Sequence, residues 1–275
     1  MKVSQKTEDI ARTLLGNPSL STYAAMAWNL LEGKEDHLQD IVAEPSSNIE
    51  IGFLKNPPQP TYQHIQELAK IIEQRPDVIH DNSFKNMHVK GIHSLALHMA
   101  PELLLRLYVG QAEHMSPILT DFNNQAFLHH HHQYHFLAQT LEGTAVNQRF
   151  IKSPDPNGWY EYHFSSIIKG EGSLIFQGEV NLIPFQKEYV QKRQAYFMQA
   201  PEIHRVWFIP SEKTGWFINL FWEFREQDAP KNVYIQQKIA DLPDREVLYQ
   251  KFSVKELETL IQGMIDTLEK ESQDK

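Results

Sequence analysis

A chain of 275 residues, 41% hydrophobic and 22% charged, holds enough apolar material for one large domain or two small ones and has an ordinary globular composition. Its net charge of −9 argues against nucleic acid as the main partner, because phosphate binding needs a basic surface. The lack of any cysteine excludes disulfides, thiolate ligands and a cysteine nucleophile, so a metal here must be held by imidazole, carboxylate or water.

The first residues, "MKVSQKTEDIARTLLG", carry early acids and no apolar run of signal-peptide length, and no stretch approaches the ~18 apolar residues of a membrane span. A cytoplasmic location is the expectation, and the missing cysteines fit a reducing compartment. From Thr7 to about Ala100 apolar residues recur three and four apart, in "DIARTLLG", "LSTYAAMAWNLLEG" and "TYQHIQELAKIIEQ", which predicts helices. Gly16-Asn17-Pro18 and Gly33 end the first two, and Thr61 is a candidate N-cap for the third. "SSNIEIGFL" reads as a short strand. In "NSFKNMHVKGIHSLALHMAPELL" the pattern is ambiguous, although Ile92, Leu95 and Met99 suit one helical face.

The texture changes near Leu103. "LLLRLYVG", "HFLAQTLEGTAVNQRF", "GWYEYHFSSII", "GSLIFQGEVNLI", "QAYFMQAPEIHRVWFI" and "GWFINLFWEF" are short runs rich in aromatic and β-branched residues, separated by turns such as "PDPNG" and "KGEG". Seven or eight strands without helices between them predict an antiparallel sandwich or barrel. The chain closes in "SVKELETLIQGMIDTLEKE", an amphipathic helix that Ser253 caps with Glu256 in the box position. Three regions result: a mostly helical 1–100 that packs on the β part or forms an oligomer contact, a β region over 101–240, and a helix and tail over 241–275.

"FLHHHHQYHF", Phe127 to Phe136, holds five of the fourteen histidines. On a strand alternate side chains share a face, so His130 and His132 lie on one side, and His129 and His131 on the other. Two imidazoles one strand repeat apart can reach a single ion at about 2.0–2.2 Å. A run of histidines in a loop is equally a solvated polar patch, as His37, His64 and His80 are taken to be on the helical segments.

Beyond the run come "TLEG", with Gly143, and a lone His204 shortly after Pro201 on a later strand. On these residues, with Tyr134-His135-Phe136 before the "LEG" turn, the chain from about Leu103 to Phe224 resembles the cupin superfamily. The resemblance implies a mainly β fold, a cupin-like antiparallel β-barrel or jelly roll, with His130, His132 and His204 as metal ligands. Phe136 stands where many cupins carry a ligand glutamate. The implied site is therefore a three-His site, a site with His135 as fourth ligand, or a barrel without metal, the first being preferred. Three-His relatives include thiol dioxygenases and related non-haem iron oxygenases. They imply iron(II) and a dioxygen-dependent oxidation of a small thiol- or amino-acid-like substrate, although imidazole also suits zinc, nickel, copper or manganese.

Tyr134 and Arg205 are the candidate catalytic side chains. Arginine binds carboxylates through two parallel hydrogen bonds, which also draws attention to Arg149. Gln133, Gln139, Glu142 and Glu202 are candidates for holding ligand rings, with Tyr196, Met198 and His163 as possible cavity walls. No nucleophile elbow, phosphate loop, zincin helix or EF-hand pattern competes. Two other functions stay open: a non-catalytic small-ligand-binding or assembly module, motivated by the helical third of the chain, and a non-redox metal-dependent isomerase or hydrolase. A homodimer is the expected assembly.

Overall fold

The structure, a computed structural model, describes residues 76–87, 91–99, 103–115, 129–153, 155, 157–165, 173–225, 231–236, 238 and 249–273. The helical readings between Thr7 and Gln74 lie outside them. In chain order the elements are α1 (Pro76–Asn82), β1 (Ile92–Met99), β2 (Leu103–Gln111), β3 (His129–His130), β4 (Tyr134–Glu142), β5 (Thr144–Ser153), β6 (Trp159–Ser165), β7 (Ser173–Gln191), β8 (Ala195–Met198), β9 (Ile203–Ile209), β10 (Trp216–Arg225), β11 (Asn232–Ile235) and α2 (Val254–Gln273). The protein is mainly β, with two antiparallel sheets.

One sheet has the order β1-β2-β10-β4-β8. The other runs β11-β3-β9-β5-β7-β6, and its order returns to its start because β6 also pairs with β11. Strand β7 serves two partners in succession, β6 through Val180 and β5 from Asn181 onward. Between the sheets lies an apolar layer that includes Phe136, Tyr196, Met198, Phe217 and Phe221 from the first sheet and Ala145, Val190 and Phe208 from the second. The opposite face of the five-stranded sheet is covered by α2, whose Leu257, Leu260, Met264, Ile265 and Leu268 pack on Leu105, Leu107, Leu137, Leu220 and Trp222. Gly263 permits this close approach: a Cβ there would stand 2.9 Å from the Trp216 ring.

Two-sided burial explains the one element whose type the sequence left unclear. The stretch with Ile92, Leu95 and Met99 is strand β1, not a helix, paired with β2 from Ile92↔Gly110 to Met99↔Leu104. Leu95 and Leu97 face α2 while Ile92 faces the second sheet, and Met99 is exposed. A strand buried on both faces loses its polar-apolar alternation, and its apolar residues then fall three and four apart by chance.

The turn between β4 and β5 is Gly143, at φ 78°. A Cβ there would meet the Ile209 carbonyl oxygen at 2.6 Å, so the "LEG" glycine answers both to backbone conformation and to a crowded neighbour. At the start of α2 the predicted capping box forms: Ser253 Oγ accepts from the Glu256 N–H at 3.3 Å and Glu256 Oε2 accepts from the Ser253 N–H at 2.8 Å. Ser253→Ala is expected to cost about 1 kcal/mol, read as a shift in the denaturant midpoint at unchanged slope; no shift would show that packing alone holds the helix end.

Candidate metal centre

Two strands and a loop bring three imidazoles together. His130 of β3 is the register partner of His204 of β9, so the two share a face as adjacent cross-strand neighbours. His132 lies two residues past His130, and its N–H is held by the Ala200 carbonyl at 3.0 Å. The ring centroids form a near-equilateral triangle: 4.7 Å for His130–His132, 4.9 Å for His130–His204 and 5.1 Å for His132–His204. One nitrogen of each ring lies within 4.8 Å of the others, and no further such group occurs among the described residues. His132 Nε2 and His204 Nε2 are 2.9 Å apart. Two nitrogens each about 2.1 Å from one ion and at right angles would stand about 3.0 Å apart. The donor set therefore fits a transition-metal ion.

Alternation sorts the rest of the run. His129 turns away onto Phe150 and Trp159, at 5.0 and 4.5 Å between ring centroids, and His131 towards Tyr234 at 6.3 Å. The side chain of His135 lies outside the described residues. Phe136, one residue on, packs its ring 4.7 Å from His132 and 5.7 Å from His204 and gives the site an apolar wall.

His204 is almost fully buried. Burial, with Arg149 and His129 nearby, pulls its pKa down from 6.5 to about 3, so it is a neutral ligand at ordinary pH. Its Nδ1 lies 2.8 Å from Asn147 Oδ1. The Asn147 amide nitrogen donates to Glu188 Oε2 at 3.0 Å and to Met198 Sδ at 3.5 Å, which turns Oδ1 towards the ring. Asn147 thus accepts the Nδ1 proton and leaves the Nε2 lone pair facing the other histidines. Arg149 fixes Glu188 in turn, with Nε at 3.3 Å from Oε2, and also pairs with Glu202. Neither Asn147 nor Glu188 stood out in the sequence. The one available signal was a polar residue two places after Ala145 on the inward side of β5. Asn147→Leu is expected to weaken metal binding about 10–100-fold while the chain still folds; unchanged affinity in a metal-competition titration would remove Asn147 from the site.

The other candidates separate cleanly. Tyr134 lies beside the histidines, its ring 4.9 Å from that of His132. Met198 and Tyr196 line the layer between the sheets. Arg205 does not join the cluster: neighbouring residues on a strand point oppositely, and its guanidinium stacks 5.4 Å over Trp207. Glu142 pairs with Lys192 at 2.6 Å and Thr214 at 3.1 Å. Gln139 shares the α2-facing side of β4 with Leu137 and Leu141. Gln133 is exposed, and His163 meets Asn232 at 3.3 Å.

Charge is also buried between the sheets. Arg106 Nε lies 3.1 Å from Glu223 Oε1, and Arg106 Nη1 donates to Ser94 Oγ at 2.9 Å. Phe221 links this region to the histidines, edge-on to Tyr108 at 4.6 Å and tilted against Phe136 at 5.1 Å between ring centroids. Burial brings the Lys231 ammonium down to about 8, against the pull of Glu223 and with Arg106 adding to the fall.

No family model and no curated protein matches the chain. Solved structures align with part of the chain at low identity. A hydroxypropylphosphonic acid epoxidase from S. wedmorenis aligns over 53% of this chain and 56% of its own, at 14% identity and a TM-score of 0.30. A cupin superfamily protein from Desulfitobacterium hafniense aligns over 49% and 78%, at 13% and 0.26. A hydroquinone 1,2-dioxygenase from Sphingomonas sp. aligns over 47% and 64%, at 6% and 0.28. This chain spans little more than half the length of the first. Likeness this distant carries no functional weight, and the chemistry rests on this chain's own side chains: three buried or half-buried histidines arranged to coordinate one metal ion.

Proposed function

We propose that His130, His132 and His204 hold one transition-metal ion, iron(II) foremost, and that the protein is a metal-dependent oxidoreductase of the non-haem dioxygenase type. It is built on a cupin-like barrel and acts on a small organic substrate, thiol- or amino-acid-like. The observation that carries this reading is the 2.9 Å separation of two Nε2 atoms in a triangle of rings, one of which is oriented by Asn147. Three neutral protein ligands leave coordination positions for exogenous groups, and bound iron(II) supplies a site where dioxygen and substrate meet and exchange electrons.

The chain's own residues do the rest. Asn147 holds the proton on His204 Nδ1 and fixes the ring. Phe136, Phe221 and Met198 exclude water from the inner side of the histidines, and a dry site strengthens every charge interaction inside it. Tyr134 stands against His132 and is the side chain positioned to meet a substrate group. Arg205, stacked on Trp207, takes no part.

Oxygen uptake by the iron(II)-loaded protein, measured against a panel of small thiols and amino acids, tests the reaction. Iron-dependent uptake matched by substrate loss, and absent with zinc, is the expected result. Turnover with zinc or manganese that consumes no oxygen would replace the dioxygenase by a non-redox isomerase or hydrolase on the same ligands. Binding without turnover would make the protein a small-ligand module.

A further inference from the structure

We propose that the space between the two sheets contains an anion subsite beside the three histidines, anchored by Lys231, and that the substrate taken there carries a carboxylate or phosphate group. This names the substrate class of the site proposed above and rests on that reading only for the ligand's role as substrate.

The β3–β11 ladder places the lysine. Val233 is the partner of His130, and the His131 N–H donates to the Asn232 carbonyl at 3.2 Å. Lys231 lies just before β11, two residues ahead of Val233, and residues two apart on an extended chain share a face. Cross-strand partners share a face, so Lys231 stands on the side of the sheet that presents His130 and His132. Its carbonyl is fixed by the Phe164 N–H at 2.8 Å, and its ammonium lies 4.8 Å over the Phe164 ring. That ring contact is favourable, but it does not neutralise the charge.

Charge balance supplies the second argument. Among the described residues Glu223 is the buried carboxylate in reach of this region, and Arg106 already holds it at 3.1 Å. Both cations act electrostatically on that one acid. Among the described residues two cations and one carboxylate leave a surplus positive charge here, with Arg106 and Glu223 buried and Lys231 half-buried. Among the described residues the Lys231 ammonium has no carboxylate within ion-pair distance. Even half-buried, a cation without a counterion carries a desolvation cost, and a ligand anion seated between Lys231 and the histidines relieves that cost. A neutral ligand does not. A carboxylate and a phosphate both satisfy this chemistry, and charge alone does not choose between them.

Thermal melting of the metal-free full chain tests the subsite at constant ionic strength, in graded acetate, graded inorganic phosphate and, as a neutral control, acetamide. The expected result is a saturable rise in melting temperature with acetate, phosphate or both, and none with acetamide. Saturation by one anion alone identifies the ligand group. The half-saturating concentration rises about tenfold or more in Lys231→Met, the loss expected for one charge-assisted contact, and stays near the parent value in Lys231→Arg. Should Lys231→Met not fold, Lys231→Gln gives the same comparison. An unchanged half-point in the neutral variant, an equal response to acetamide, or no saturable response to either anion overturns the proposal. His204→Ala keeps the anion response. A protein that binds no metal yet responds through Lys231 therefore refutes the metal reading and leaves this one standing, and the converse holds as well.

Discussion

The metal-free protein is expected to lose several kcal/mol of folding stability as pH falls from about 7 to 5. Burial first depresses four histidines: His93 to about 4, His129 to about 3 and His204 to about 3, against 6.5 in the unfolded chain, with His131 lowered as well. The unfolded rings take up protons below 6.5 and the folded ones do not, so stability is full above 6.5 and drains away as pH drops towards the folded values. Each ring contributes about 1.4 kcal/mol per pH unit inside that window. Denaturant titrations at pH 7.5 and 5.0 check the prediction, and His129→Gln is expected to flatten the dependence by one ring's share. Equal midpoints at the two pH values would show that these rings are protonated in the folded protein.

Breaking the interior ion pair is the second large effect. Arg106 and Glu223 are both buried and stand 3.1 Å apart. Removal of either partner strands the other charge between the sheets, so Glu223→Leu and Arg106→Met are each expected to destabilise the fold by about 3–5 kcal/mol. The double variant strands neither charge and is expected to cost less than the sum of the singles, the signature of direct coupling. Two single losses that simply add would mean that the pair contributes through packing alone.

The site was legible where local alternation suffices. His130 and His132 share a face because they are two apart, and the same rule sends His129 and His131 away. The rule also argues against Arg205, which adjoins His204 on β9 and points to the other side. What was not legible depends on register between distant strands. Asn147 reaches His204 through the β5–β9 ladder and Glu188 reaches Asn147 through the β5–β7 ladder, and a lone asparagine in "TAVNQRF" looks the same whether it faces solvent or a ligand ring. Lys231 meets the His130 face only because β11 pairs with β3, about a hundred residues earlier in the chain. Strands β2 and β4 to β10, which fall in the six runs from "LLLRLYVG" to "GWFINLFWEF", were readable from their aromatic and β-branched residues. Strand β1 was not, since α2 and the second sheet together bury both of its sides.

Metal content of protein purified without an affinity tag, compared among the parent chain, His204→Ala and His131→Ala, tests the central claim most directly. About one transition-metal ion per chain in the parent and in His131→Ala, with none retained by His204→Ala, is the predicted result. Equal metal in the parent and in His204→Ala would mean that the histidine run binds ions as a surface patch, and the three-His centre would be wrong.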